Sequence, residues 1–225
     1  MATHFDTNIE NIRSKFLLMG QLATESLELA LESLEQTDPK KAKLVRIRDE
    51  EIDNLENELS ASVTIILSTH APIASDLRLL VSTMKASHEI ERIGDEAKAI
   101  ARRSRNTTIH DFHQIPKMGK IALEMIRDSL GVFVEFDEEK AKAIWTTDLS
   151  VDALNAENNT FCQDLVNKEP ASASSIFEML FISKSLERIA DHAVNISKEA
   201  VFLATSRDVR HAKEFKKSKL RKKTL

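Results

Sequence analysis

Glu91-Arg92-Ile93-Gly94-Asp95 returns as Glu187-Arg188-Ile189-Ala190-Asp191, 96 positions further along the chain. In each copy two carboxylates stand four residues apart, with an arginine beside the first. Four residues on an α-helix turn through about 400°, so each pair of carboxylates lies on one helix face, roughly one turn apart. Like charges at this spacing weaken a helix by about 0.3 kcal/mol. The repetition in register therefore indicates that a positive group lies against each pair.

The composition predicts a protein built from long helices. The 225 residues include only 4 Gly and 4 Pro, while hydrophobic residues make up 42% and charged residues 30%. This balance is typical of a folded globular chain and excludes disorder, and the length allows one or two domains. Because so few residues favour turns, the elements must be long, and helices fit this requirement best.

Charge and cysteine content restrict the classes of partner and site. A net charge of −4 gives no indication of nucleic acid or of an anionic membrane as a partner. The single cysteine, Cys162, excludes an internal disulfide and a cysteine-based zinc site. No apolar run approaches the 18 residues of a membrane span, and the N-terminus lacks the apolar segment of a signal peptide. We therefore expect a cytoplasmic protein that binds no nucleic acid and meets the membrane only through its partners.

Apolar residues at helical spacing, separated by breaks, predict six helices. Asp38 and Asp137 are the expected N-caps of the second and fifth helices, Pro72 and Glu169-Pro170 interrupt the chain, and the polar segment 106–114 is a predicted linker. The predicted helices are residues 7–36, 39–69, 75–105, 116–136, 138–168 and 171–205.

The two halves of the chain are repeats. Met19-Gly20 returns as Met118-Gly119 and Leu31 as Leu130, each 99 positions later, as do the two capping aspartates. Two repeats of three helices joined by short loops predict an all-α fold of two antiparallel three-helix bundles packed side by side. We expect domains at residues 1–108 and 109–206, followed by a basic tail at 207–225. That tail is either a solvated terminus or a contact for an acidic partner or lipid headgroups.

A second pair of carboxylates stands in each half at the same repeat offset, on the helix that precedes the first pair. In an up-down-up bundle the two helices are antiparallel neighbours, so both pairs can face one groove. Four clustered carboxylates resist full ionisation unless a cation neutralises them, and oxygen ligands suit magnesium, manganese and iron, with zinc also open. The predicted metal ligands are Asp49, Asp53, Glu91 and Asp95 in the first half and Asp148, Asp152, Glu187 and Asp191 in the second.

Other interpretations of these acidic pairs stay open. With 36 acidic residues such pairs also arise by chance, and Arg92 or Arg188 could pair with them in a metal-free helical scaffold. A carboxylate-bridged di-iron or di-manganese oxidoreductase is a further alternative, but such bundles use Glu-x-x-His, which this sequence lacks. A phosphate-cradling Gly-rich loop is absent as well. These absences argue against an enzyme, and we predict that the chain is not one.

Several motifs of the chain occur together in one known family, and they extend over nearly its whole length. The motifs are Met19-Gly20, Asp49-x-x-x-Asp53, segment 72–78, Glu91 to Asp95, Met118-Gly119, Asp148-x-x-x-Asp152, segment 185–193 and the ending 208–211. With them the sequence resembles the PhoU family of phosphate-specific transport accessory proteins.

The resemblance implies a fold of two similar three-helix bundles, with metal clusters at the eight carboxylates named above. It implies a cytoplasmic regulator, often a homodimer, that represses the phosphate-starvation response when phosphate is plentiful. Such a regulator links the ATPase subunit of the phosphate ABC transporter to a sensor histidine kinase. Because Glu96 stands where the second repeat has His192, we expect the two sites to differ in metal preference or occupancy.

Overall fold

The structure is a computed structural model that describes residues 4–109, 111–135 and 137–209, and over these residues the chain forms six α-helices and no strands. The predicted all-α fold is therefore confirmed. The helices are α1 (His4–Gln36), α2 (Pro39–His70), α3 (Ala74–Ser104), α4 (Ile115–Glu135), α5 (Glu138–Lys168) and α6 (Ala173–Thr205).

The predicted helix boundaries agree with these bounds to within a few residues, and the caps explain two of them. Asp38 accepts a hydrogen bond from the backbone N–H of Lys40 at 2.9 Å, and Asp137 accepts the N–H groups of the second and third residues of α5, both at 3.0 Å. Each carboxylate thereby satisfies donors that have no partner inside the helix. The sixth helix begins later than predicted because Pro170–Ser172 forms a 3₁₀ turn before it. Phe136, the predicted end of the fourth helix, lies outside the described residues.

The helices form two three-helix bundles, as the repeat predicts. α1, α2 and α3 pack against one another, as do α4, α5 and α6, and the bundles are joined where α1 meets α4 and α3 meets α6. The helices α2 and α5 pack mainly against their own bundle and flank this four-helix centre. The two carboxylate-bearing contacts, α2 with α3 and α5 with α6, therefore lie on either side of this centre.

The glycines of the repeated Met-Gly motif lie where α1 crosses α4. A β-carbon built on Gly20 would be 2.6 and 2.7 Å from the two methyl groups of Leu130, and one built on Gly119 would be 2.7 Å from both methyl groups of Leu31. Each repeat thus supplies a glycine that accepts the leucine of the other repeat. The repeated motif therefore serves the packing of the two bundles on each other.

An ion pair between equivalent positions of the two repeats spans the same crossing. Glu28 accepts a hydrogen bond from Arg127, and position 127 is the counterpart of position 28 at the 99-residue offset. Two equivalent positions can touch only near the pseudo-twofold axis that relates the repeats. The axis therefore passes close to this pair.

Charged side chains join α3 to α6 along their whole contact. These pairs are antiparallel in order, so residues early in α3 meet residues late in α6. The pairs are Lys85–Glu199 at 3.6 Å, Glu89–His192 at 2.7 Å, Glu96–Arg188 at 3.0 Å and Arg103–Glu178 at 2.8 Å.

The segments predicted as linker and tail both contact the bundles. Ile109 and Phe112 of the linker pack against the core, and the ring of His113 stacks on Phe161 with centroids 4.2 Å apart. In the tail, Arg207 donates to both carboxylate oxygens of Glu138, at 2.9 and 3.1 Å. The rest of the tail beyond position 209 lies outside the described residues. In the described part of the chain, no helix combines the length and the apolar character that crossing a bilayer requires.

Candidate functional site

The first predicted carboxylate cluster lies where α2 packs against α3. Asp49 on α2 is buried, with 3% of its surface exposed, and Asp53 lies one turn further along at the edge of the same contact. Partial burial raises the pKa of Asp53 above its usual value, and repulsion from Asp49 and Asp95 raises it further. The carboxylates of the aspartates on α2 and α3 therefore repel one another across the helix contact.

Glu91 belongs to the same electrostatic group. Burial raises the pKa of its carboxyl, repulsion from Asp95 and Asp53 adds to the rise, and the Arg92 guanidinium opposes it. The Arg92 Nε atom lies 3.5 Å from Glu91 Oε2, and its Nη1 atom lies 3.7 Å from Asp95 Oδ2. The four predicted acidic residues of the first half thus lie close enough for their carboxylates to repel one another.

Lys98 is the positive group in the first half that the repeated carboxylate pair predicts. Its ammonium group donates to Asp49 Oδ2 and lies 3.5 Å from Asp95 Oδ1. The hydrogen bond to Asp49 raises the pKa of Lys98 despite its partial burial. Our sequence analysis did not single out Lys98. The available signal was its position three residues after Asp95, on the same helix face.

A glycine permits the close approach of the two helices at this cluster. A β-carbon on Gly94 would lie 3.1 Å from Ile52 Cδ1 and 3.9 Å from Asp49 Oδ1. The second repeat carries Ala190 at the equivalent position, so α5 and α6 pack there around one additional methyl group. The two sites therefore differ at the helix contact itself.

In the second half the acidic residues lie between α5 and α6. Glu187 is buried and accepts a hydrogen bond from Lys184 on the same helix, while Asp191 is half-buried. On α5, one carboxylate oxygen each of Asp148 and Asp152 is buried. All four predicted acidic side chains of the second half are thus at least partly buried.

The two clusters differ in their internal cation. The residue that corresponds to Lys98 at the repeat offset is Val194, which is 7% exposed. Glu96 and His192, which we predicted to make the two sites differ, have partners outside the eight predicted ligands. Glu96 pairs with Arg188 and His192 with Glu89, both across the contact between α3 and α6. We did not anticipate Glu89 as the acceptor for His192. The difference inside the clusters is therefore lysine against valine.

Carboxylate oxygens are suitable ligands for a hard cation, but these side chains are not arranged around a common metal position. In the first cluster, Mg²⁺ or Mn²⁺ would neutralise the carboxylates of Asp53 and Glu91, whose pKa values are raised. Yet among residues 4–109, 111–135 and 137–209 no three His, Cys, Asp or Glu side chains are placed to hold one metal ion together. In the first cluster, the ammonium group of Lys98 already lies among the oxygens. Metal binding at the eight residues therefore stays a prediction.

Comparisons with known proteins agree on one family. The chain matches the PhoU domain twice, over residues 16–104 and 115–200. It is 34% identical over 219 residues to the "Phosphate-specific transport system accessory protein PhoU homolog" of Pseudomonas putida, covering 94% of this chain and 84% of that protein. The protein with the same description from Streptococcus pneumoniae is 30% identical over 209 residues, covering 91% of this chain and 97% of the relative.

Solved structures give the same result at the level of the fold. The crystal structure of PhoU from Pseudomonas aeruginosa superposes with a TM-score of 0.87 at 29% identity, covering 91% of this chain and 100% of that chain. The phosphate transport system regulatory protein PhoU from Streptococcus pneumoniae superposes with a TM-score of 0.84, also at 29% identity, covering 92% and 99%. Both repeats of the sequence, the paired bundles and the relatives at 30% identity or above lead to one conclusion: this chain belongs to the PhoU family.

Proposed function

We propose that this chain is a regulatory accessory protein of phosphate-specific transport. It represses the phosphate-starvation response and phosphate uptake by coupling the phosphate ABC transporter, through its ATPase subunit, to a sensor histidine kinase. The main support is the match of both repeats to the PhoU domain, together with relatives named as accessory proteins of this transport system. The proposal includes a homodimer that acts at the cytoplasmic face of the membrane, and it assigns no catalytic residue.

The two outer helices leave apolar side chains exposed, as other described helices do, and they are the helices that pack mainly against their own bundle. On α2 these are Leu44, Ile47 and Ile65, and on α5 Leu149 is exposed. Apolar side chains of this size contribute to partner binding when a second surface covers them. We assign the outer helices to partner recognition, with one partner at each bundle.

A metal ion at either carboxylate cluster would connect two helices of one bundle. The ligands would be Asp49, Asp53, Glu91 and Asp95 between α2 and α3, with Asp148, Asp152, Glu187 and Asp191 between α5 and α6. A bound divalent cation would supply positive charge that offsets the mutual repulsion of the carboxylates. At the first cluster it would compete with Lys98, whereas the second cluster has Val194 at that position but has Lys184 bound to Glu187.

Deletion of the gene tests the regulatory role. In phosphate-rich medium, a reporter under a phosphate-starvation promoter should become active in the deletion strain and fall silent again when the wild-type chain is restored. Purified chain should retain the transporter's ATPase subunit and the kinase in separate pull-down assays. A deletion strain that keeps the reporter repressed would refute the proposal.

Elemental analysis tests the metal sites independently of regulation. The chain is purified without chelator or affinity metal, beside the variant Asp95→Asn with Asp191→Asn. We expect iron, zinc, manganese or magnesium in the wild type and its loss in the variant. Equal metal content in the two proteins would place any metal away from these carboxylates. If the metal-free variant still bound both partners and repressed the reporter, metal would have no part in the adaptor mechanism.

A metal-free form of the adaptor is favoured by one observation, the ion pair of Lys98 with Asp49. A buried carboxylate that already has an ammonium partner does not require a metal to be stable. A wild type that is helical, active in the reporter strain and empty of metal would support this form.

A further inference from the structure

A strongly cationic groove of about 650 Å³ lies between α2, α3 and α6. Five arginines and two lysines line it, against the two carboxylates Asp95 and Glu96. Small-molecule sites commonly have volumes of about 300–1,000 Å³, so the groove is large enough for one ligand. It adjoins the first carboxylate cluster, with which it shares Asp95 and Lys98.

Some of these cations have structural partners and two do not. Arg46 pairs with Glu50 at 2.6 Å, and Arg188 pairs with Glu96 across the contact between the repeats. Arg102 and Arg105 are exposed near the C-terminal end of α3, and within the described part of the chain neither has an ion pair or a side-chain hydrogen bond. The groove thus presents two guanidinium groups that are available to an added anion.

The groove also offers an apolar ring beside a donor that lacks an acceptor. The Arg103 guanidinium lies over the ring of Phe181 at 4.2 Å from its centroid, and Phe181 is 51% exposed. Arg103 donates through Nη1 to Glu178, while its Nε atom is buried without a hydrogen-bond partner among the described residues. The large exposed ring of Phe181 favours a ligand that covers it.

The simplest alternative is that these arginines only complement the negative end of the α3 dipole. That effect explains cations in the last turn of a helix. Arg46 on α2 and Lys184 and Arg188 on α6 also line the concavity, but each already pairs with a carboxylate, of Glu50, Glu187 and Glu96 respectively. The helix dipole does not account for a concavity of this size beside the exposed ring of Phe181, and the two guanidinium groups there without carboxylate partners among the described residues favour a multivalent anion as the occupant.

We propose that this groove binds a small phosphate-bearing polyanion, with Arg102 and Arg105 holding phosphoryl oxygens and Phe181 covering any ring that the ligand carries. Guanidinium groups match phosphate oxygens in bidentate geometry, which favours phosphate where arginine predominates over lysine. This site adjoins the first carboxylate cluster but would hold its ligand with other residues, and it goes beyond the proposed adaptor role.

Calorimetric titration of the full chain tests the proposal. Inorganic phosphate, tripolyphosphate and ATP are titrated separately in metal-depleted buffer at about 0.15 M salt, where long-range attraction is screened. The variant Arg102→Gln with Arg105→Gln removes the two available cations. Its matched control, Lys117→Gln with Lys120→Gln, removes two exposed charges at the same spacing on α4, outside the groove. Circular dichroism and thermal unfolding are measured to check that both variants fold. Both variants retain the basic tail.

We expect saturable binding of one polyanion per chain, weakened at least about tenfold by the arginine variant and unchanged by the lysine control. Phe181→Ala distinguishes the sources, since weaker binding of ATP alone supports a nucleotide, whereas unchanged binding of all three ligands supports an inorganic polyphosphate. If none of the three ligands bound saturably, or if the lysine control lost as much affinity, the proposal would be overturned. Binding of acidic peptides or anionic vesicles through Arg102 and Arg105, without binding of these small anions, would overturn it as well.

Discussion

Gly20 on α1 and Leu130 on α4 are so close that a β-carbon on the glycine would lie 2.6 Å from Leu130 Cδ1. We expect Gly20→Ala to lower the free energy of unfolding by about 1–2 kcal/mol, because overpacking outweighs the gain of about 1 kcal/mol in helix propensity. Gly119→Ala, which meets Leu31 in the same way, should have a similar effect. Urea denaturation measures both.

Gly131→Ala is the control, since nothing lies within 4 Å of a β-carbon at this position of α4. There the propensity gain acts alone, so the variant should be more stable by about 0.5–1 kcal/mol. If Gly20→Ala stabilised the chain as much as Gly131→Ala, the close packing of α1 on α4 would be wrong.

Lys98→Met should destabilise the first bundle because it leaves the buried carboxylate of Asp49 without its ammonium partner. Since Lys98 itself is partly exposed, we expect a loss of about 2 kcal/mol in metal-free buffer. Added Mn²⁺ should restore more stability to this variant than to the wild type, because the metal can take the vacated position of the cation. Lys120→Met, at an exposed site on α4, is the matched control, and equal losses in the two variants would contradict the role of Lys98.

Glu89→Gln should change how the thermal stability of the protein depends on pH at acidic pH. Burial disfavours the charged carboxylate of Glu89, but hydrogen bonds from His192 and Asn195 outweigh burial and lower its pKa below 4.5. A lowered folded-state pKa stabilises the protein above the unfolded-state pKa, and this contribution is lost as the pH falls through the folded-state value. The difference in melting temperature between wild type and variant should thus be largest near neutral pH and shrink below about pH 4.5. A difference that is constant across pH would contradict the ion pair.

Cys162 should be inert in the folded protein. The side chain is fully buried on α5, and burial raises the pKa of its thiol from 9.0 to about 11. The thiolate is the reactive form, so a thiol reagent at pH 8 should label Cys162 only in denaturant. Rapid labelling of the native protein would contradict its burial.

The same shift fixes the sign of an alkaline effect. Between pH 9 and 11 the unfolded chain ionises its thiol while the folded chain keeps it protonated, so stability falls as the pH rises. Cys162→Ala should lose less stability over this interval than the wild type does. Urea denaturation at both pH values measures the difference.

The helices could be predicted from the sequence because their determinants are local. Asp38 and Asp137 act through the backbone two or three residues ahead, and the offset of 99 positions applies to both caps and to the Met-Gly motif. The 3₁₀ turn before α6 was missed, since Pro170 starts a helical turn of either kind equally well.

The content of the candidate site could be predicted only in part. Acidic residues four apart on one helix can be recognised from their spacing, and the repeat offset relates the pairs of the two halves, so the eight carboxylates could be named as candidates. Their binding of metal stays a prediction. Lys98 gains its role from Asp49 on another helix, and the cationic groove joins Arg46, Arg102 and Phe181 from three helices far apart in sequence. No single stretch of the chain contains the information that brings these side chains together.

The pair of Glu28 with Arg127 makes the two repeats chemically different at their pseudo-twofold axis. A half-length ancestor that built the same assembly from two identical chains would bring equal charges together on its twofold axis, Glu against Glu or Arg against Arg, at the cost of repulsion. Opposite charges at this point require that the two halves be encoded separately. Separate encoding also allows the first cluster to have Lys98 where the second has Val194.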